Sequence, residues 1–93
     1  MNAQNPFRFI SDPGHGWLEV PVNVLAKLGL DRTDFSRYSY KSRDGAFVYL
    51  EEDCDAAKFD LAWRSKYGER APYIEVYQEK TPIRDYPAIH NLA

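Results

Sequence analysis

Residues 11–20 read Ser11-Asp12-Pro13-Gly14-His15-Gly16-Trp17-Leu18-Glu19-Val20, a turn-forming cluster followed by strand-forming residues. Proline presets φ for the second position of a turn, and glycine accepts positive φ at the third, so Pro13-Gly14 marks a chain reversal. Before it, Phe7-Arg8-Phe9-Ile10 has strand preference, with Phe7 and Phe9 on one face. After it, Trp17-Leu18-Glu19-Val20 has the same preference. The stretch therefore predicts an N-terminal β-hairpin, or a bulged and bent strand, with Asp12–Gly16 at its tip. Asp12 is expected to accept backbone N–H groups in an Asx-type turn, with His15 at the surface. The same two side chains are also a candidate acid/base or metal pair, but such chemistry needs a nucleophile or further ligands from elsewhere.

Downstream, Pro21 and Gly29 bracket a short helix with the apolar stripe Val24, Leu25 and Leu28. At about two turns it depends on tertiary packing. Asp31 to Ser36 reads as a loop or a helical turn capped by Asp31 or Thr33. Two β-prone runs, Tyr38–Lys41 and Ala46–Leu50, flank Ser42-Arg43-Asp44-Gly45, the best hairpin signal in the chain. Tyr38 and Tyr40 share one face, as do Phe47 and Tyr49; Val48 and Leu50 take the opposite one. Ala56, Phe59, Ala62, Trp63 and Tyr67 recur at helical spacing. Asp53 or Asp55 suits the start of that helix, and Arg64, Lys66 and Gly68 suit its end. Tyr73–Tyr77 alternates, with Ile74 and Val76 expected inward.

Residues 1–5 are expected to be loose, and residues 81–93 to form an irregular tail laid across the core by Ile83 and Tyr86. The order is β(β)αββαβ. It predicts an α+β fold in a single domain spanning 1–93, an antiparallel or mixed sheet of about four to five strands with two helices on one face. A split-βαβ arrangement fits the same order.

A chain of 93 residues can bury one core, and seven tyrosines, five phenylalanines and two tryptophans let few residues cover much area. Net charge is −2, with residues 1–46 at +1 and residues 47–93 at −3. That balance disfavours duplex nucleic-acid binding through bulk charge. The single cysteine, Cys54, cannot close an intramolecular disulfide. No basic-then-apolar leader and no run of membrane-spanning length is present, so the expected location is cytoplasmic, with no membrane partner.

Glu51, Glu52, Asp53 and Asp55 make the densest charged feature. They can stabilise the following helix N-terminus, meet a basic partner surface, or hold a divalent cation, although the spacing is not that of an EF-hand loop. Cys54, set among these carboxylates, reads as a buried structural thiol, because negative neighbours oppose a reactive thiolate. The pairs Tyr38/Tyr40, Phe47/Tyr49 and Tyr73/Tyr77, near Arg37, Lys41 and Arg43, can be cross-strand packing, a protein-binding face or a stacking platform for single-stranded bases. No metal or cofactor site is assigned.

Ile10–Pro21 taken with Tyr38-Ser39-Tyr40 and Tyr49-Leu50-Glu51-Glu52-Asp53-Cys54-Asp55 resembles small uncharacterised proteins encoded in bacteria, plasmids and phages, over roughly residues 7–86. The resemblance implies a protein-binding accessory role, including inhibition of a host defence system such as CRISPR, and transfers no catalytic residue. The leading expectation is a small interaction protein without catalytic activity. Its candidate contacts are Asp12, His15, Trp17, Tyr38, Tyr40, Glu51, Glu52, Asp53 and Asp55. One alternative is a small metal-dependent or acid/base enzyme that joins Asp12 and His15 to the Glu51–Asp55 carboxylates. The other is single-stranded nucleic-acid binding by the tyrosine face.

Overall fold

A four-residue loop after Ser11 returns the chain on itself, as the Pro-Gly signal requires. The computed structural model describes residues 5–91, so the expectation for residues 1–4 lies outside the described residues. β1 (Phe7–Ser11) and β2 (Gly16–Pro21) form the predicted hairpin, with Ser11 facing Gly16. α1 (Val22–Lys27) follows directly, Pro21 at its N-cap and Leu25 its buried residue. Of the loop and the helical turn expected next, the chain forms the turn, a 3-10 turn over Arg32–Asp34 with Asp31 at its N-cap. β3 (Tyr40–Lys41) and β4 (Phe47–Glu51) form the second hairpin. Its turn needs Gly45 at φ 76°, and the Asp44 carboxylate accepts from the Ser42 hydroxyl and the Ala46 N–H. α2 (Ala56–Tyr67) ends at left-handed Gly68, and β5 (Tyr73–Tyr77) completes the sheet.

The strand order is β3-β4-β2-β1-β5. All pairings are antiparallel except β1 with β5, so the sheet is mixed and the fold is α+β. Because α2 is a crossover from β4, β5 can land beyond β1 rather than beside β4. No helix among the described residues is long and apolar enough to cross a membrane.

Period-two alternation divides the apolar residues between two faces. Phe7, Leu18, Val20, Val48 and Leu50 face both helices and pack with Leu25, Phe59 and Trp63. The rings of Phe59 and Trp63 meet Phe7 edge-on at 5.5 and 5.3 Å. The other face carries Ile10, Trp17 and Tyr49, covered by Ile83. Ile83 belongs to a 3-10 turn, Pro82–Asp85, capped by the Thr81 hydroxyl, which accepts the Ile83 N–H. The tail is laid across the sheet by Ile83 and Tyr86 as expected, and within the described residues this 3-10 turn makes it a strap. It continues to the far edge, where Lys41 N–H donates to Pro87 O and Ile89 N–H to Ser39 O.

Four expectations need correction. β3 is only two residues long, so Tyr38 lies before the strand rather than on it. Ile74 does not point into a core: it is 50% exposed. Its register partner is Arg8 on the face the strap covers, and the strap reaches only the Ile10–Val76 end of that face. Asp55 occupies the N-cap of α2 but makes no side-chain capping bond there. Cys54 is exposed rather than buried, because residues 52–54 form the outer side of the turn between β4 and α2.

Candidate functional site

The hairpin tip and the acidic corner meet because of strand register. β2 pairs with β4 so that Trp17 lies opposite Glu51, and Glu52 N–H donates to Gly16 O. Both loops therefore leave the sheet at the same end. Together with the strap they enclose a concavity of about 290 Å³ lined by His15, Trp17, Tyr38, Tyr40, Glu51, Asp53, Cys54 and Arg84.

Asp12 anchors the tip. Its Oδ1 accepts the N–H groups of Gly14 and His15 at 2.9 Å each, the Asx-type turn foreseen from the sequence. The same carboxylate takes a two-pronged grip from Arg84, at 2.9 Å through Nε and 2.9 Å through Nη2. The Arg84 guanidinium, helped by those N–H groups, holds the Asp12 carboxyl well below the usual carboxylate range against an opposing desolvation. A carboxyl held low in the fold adds stability above its unfolded value of about 3.9 and loses it as pH falls below that value. The Asp12 side-chain carbonyl carbon should therefore titrate below the ordinary aspartate range in an NMR pH series. Asp12→Asn should narrow the stability gap between about pH 6 and about pH 3.

Arg84 also lies over Trp17, its Cζ 5.5 Å from the ring centroid. The Trp17 ring is flanked by His15 at 5.8 Å and by Tyr40 at 6.2 Å. Tyr38 forms the open rim, with Arg37 5.4 Å above its ring. On the acidic wall, Glu51 Oε1 accepts the N–H groups of Asp53 and Cys54 at 2.9 and 3.0 Å. Its Oε2 lies 4.0 Å from His15 Nδ1. The tip and the acidic corner thus meet at His15 and Glu51, but 4.0 Å is beyond a hydrogen bond.

Not every residue singled out from the sequence reaches this place. Asp55 is 1% exposed and turns away, accepting from Ser36 and Ser39. Glu52 points to the helix side of the sheet, beside Phe9 and Tyr73. The tyrosines do not assemble into one stacking platform: Tyr49 is buried against Tyr86 at 5.3 Å, and Tyr73 and Tyr77 belong to the opposite sheet edge. Arg84 and Cys54 were not foreseen as lining residues. No local pattern announces Arg84, since its partner Asp12 lies far away in sequence.

Partial desolvation and the Glu51 carboxylate beside it, followed by Asp55 and Asp53, push the Cys54 thiol above its ordinary value. A thiol that stays protonated is a weak nucleophile even when exposed. Cys54 should therefore react with iodoacetamide at neutral pH more slowly than the cysteine of an unstructured peptide, as followed by intact mass. A rate equal to or above the peptide's would refute this assignment. Among the described residues, no group of three or more His, Cys, Asp or Glu side chains is arranged to hold a metal ion. Compared with protein-family models, with curated proteins and with solved structures, the chain matches none.

Proposed function

We propose that the protein is a small interaction protein whose docking point is the aromatic and acidic concavity, which accepts a basic side chain from a partner protein. The observation that carries this reading is the charge balance of the walls. Arg84 is neutralised by Asp12, and Glu51 and Asp53 together outweigh Arg37 at the Tyr38 rim, which leaves the opening net negative beside the rings of Trp17, Tyr38 and Tyr40. Aromatic faces attract cations through the ring quadrupole. This chain already uses that chemistry twice at the same site, with Arg84 over Trp17 and Arg37 over Tyr38.

One such contact contributes about 0.5–2 kcal/mol, and an exposed ion pair with Asp53 up to about 1 kcal/mol. Even millimolar binding needs about 4 kcal/mol. The concavity therefore serves as a hot spot inside a larger interface, the role in which buried aromatic and arginine contacts dominate. A lone exposed thiol suits a reducing compartment, in keeping with a cytoplasmic partner.

The test is capture from host lysate at several salt concentrations with the wild-type chain and with a Tyr38→Ala/Asp53→Lys variant. Tyr38 is 54% exposed and Asp53 is on the surface, so the variant should fold normally. A stoichiometric protein held by the wild type and lost by the variant is the expected result. No stoichiometric partner at any salt concentration, or equal retention by the variant, would sink the proposal.

A further inference from the structure

The two edges of the sheet differ. β3 is closed on its outer side by residues 87–89, through Lys41 N–H to Pro87 O, Ile89 N–H to Ser39 O and the bridge of Tyr40 with Ala88. No described strand lies outside β5. Phe7 N–H donates to Pro72 O, and Gln78 N–H donates to Ser11 O. In a parallel ladder alternate residues turn both backbone groups to the same neighbour. Residues 72, 74, 76 and 78 therefore face β1, and the N–H and C=O groups of Tyr73, Glu75 and Tyr77 face outward. Among the described residues this row has no backbone partner, and such a row is a template for another strand.

Side chains specify which strand. Tyr73, Glu75 and Tyr77 share the face of Phe7, Phe9 and Ser11 by register, and Tyr73, Ile74 and Tyr77 are all exposed large apolar residues. Among the described residues no ion pair reaches Glu75. A second copy pairing antiparallel about Glu75 would use every outward backbone group and would set Tyr73 against Tyr77. It would also place Glu75 against Glu75, and like charges directly opposite destabilise a ladder. A central charge is the device by which open edges resist self-pairing. A partner strand with a lysine or arginine at that position reverses the sign.

We infer that β5 is a second interaction surface, independent of the concavity, which accepts by antiparallel addition an extended segment of a partner protein. That segment carries a basic residue opposite Glu75 and apolar or β-branched residues opposite Tyr73 and Tyr77. The probes are two capped seven-residue peptides of alternating valine and threonine, one with a central lysine and one with a central glutamate, added to the full chain. The readout is NMR amide shifts and hydrogen exchange.

The lysine peptide should shift and protect the amides of Tyr73, Glu75 and Tyr77, binding about threefold to fivefold tighter than the glutamate peptide. In the Glu75→Lys chain, which keeps this exposed position on the surface, the preference should invert. Equal binding of both peptides to both chains would overturn the inference, as would shifts confined to the Tyr38–Asp53 concavity or no shifts at all. Protection of the same amides that rises with protein concentration alone would overturn it in favour of a second copy.

Discussion

A chain that stops at Lys80 is expected to be largely unfolded in water at room temperature. The strap that follows Lys80 buries Ile83 and Ile89 almost completely, one on each face of the sheet. Each buried isoleucine contributes about 1.5–3 kcal/mol. The strap also closes the edge of β3, shields Trp17 and Tyr49, and supplies the Arg84 grip on Asp12. Without it Trp17 and Tyr49, both now buried, would face water. Total stability for a domain of this size is about 5–15 kcal/mol, so these losses together remove most or all of it. Near-UV circular dichroism and urea unfolding of the truncated chain should show no cooperative transition. A graded version separates packing from chain length: Ile89→Ala in the full chain should cost about 2–4 kcal/mol while preserving a two-state transition. A truncated chain that keeps a cooperative transition at a urea midpoint close to that of the full chain would refute the role given to the strap.

That strap also marks where the sequence stopped being legible. Local signals placed both hairpins, both helices and the faces of β4 correctly, because a turn dipeptide or a 3.6-residue period acts within a few residues. The Asp12 turn was readable for the same reason, since its acceptor bonds reach only Gly14 and His15. Arg84 was not, because nothing near residue 84 records that Asp12 will lie beside it. Ile74 misled because alternation reports which face a residue takes, not whether that face is covered. At the site, the sequence singled out the tip and the acidic corner separately. Only the pairing of Trp17 with Glu51 brings them together, and pairing between distant strands is a property of the whole fold. Asp55 and Glu52 drop away for a simpler reason: neighbouring residues in a tight turn cannot all point into one concavity.

Asp55 nonetheless carries the second large effect. Its carboxylate is buried, and both oxygens accept the Ser36 N–H at 3.0 Å. One of them also accepts the Ser36 hydroxyl at 2.7 Å and the Ser39 hydroxyl. The donors pass the order onward. Ser39 Oγ accepts the Glu51 N–H at 2.9 Å, and Ser36 Oγ accepts the Tyr38 N–H at 3.2 Å. Asp55 therefore fixes the backbone of two residues lining the concavity without touching it. Asp55→Ala strands the buried Ser39 hydroxyl and the half-buried N–H and hydroxyl of Ser36, and an unsatisfied buried group costs about 1–3 kcal/mol, less where water can reach it. Part of that cost is offset by no longer burying a charge. The expected net loss is about 2–4 kcal/mol, read as a drop in urea midpoint at unchanged slope. Asp55→Asn keeps the shape and one acceptor oxygen, so it should lose about half as much. The two variants also separate folding from docking. Asp55→Asn should remain folded yet hold a captured partner more weakly, because Tyr38 and Glu51 have lost part of their support. If Asp55→Ala costs less than about 0.5 kcal/mol, a level typical of surface substitutions, the carboxylate does not organise this corner. The coupling between the buried network and the concavity then fails with it.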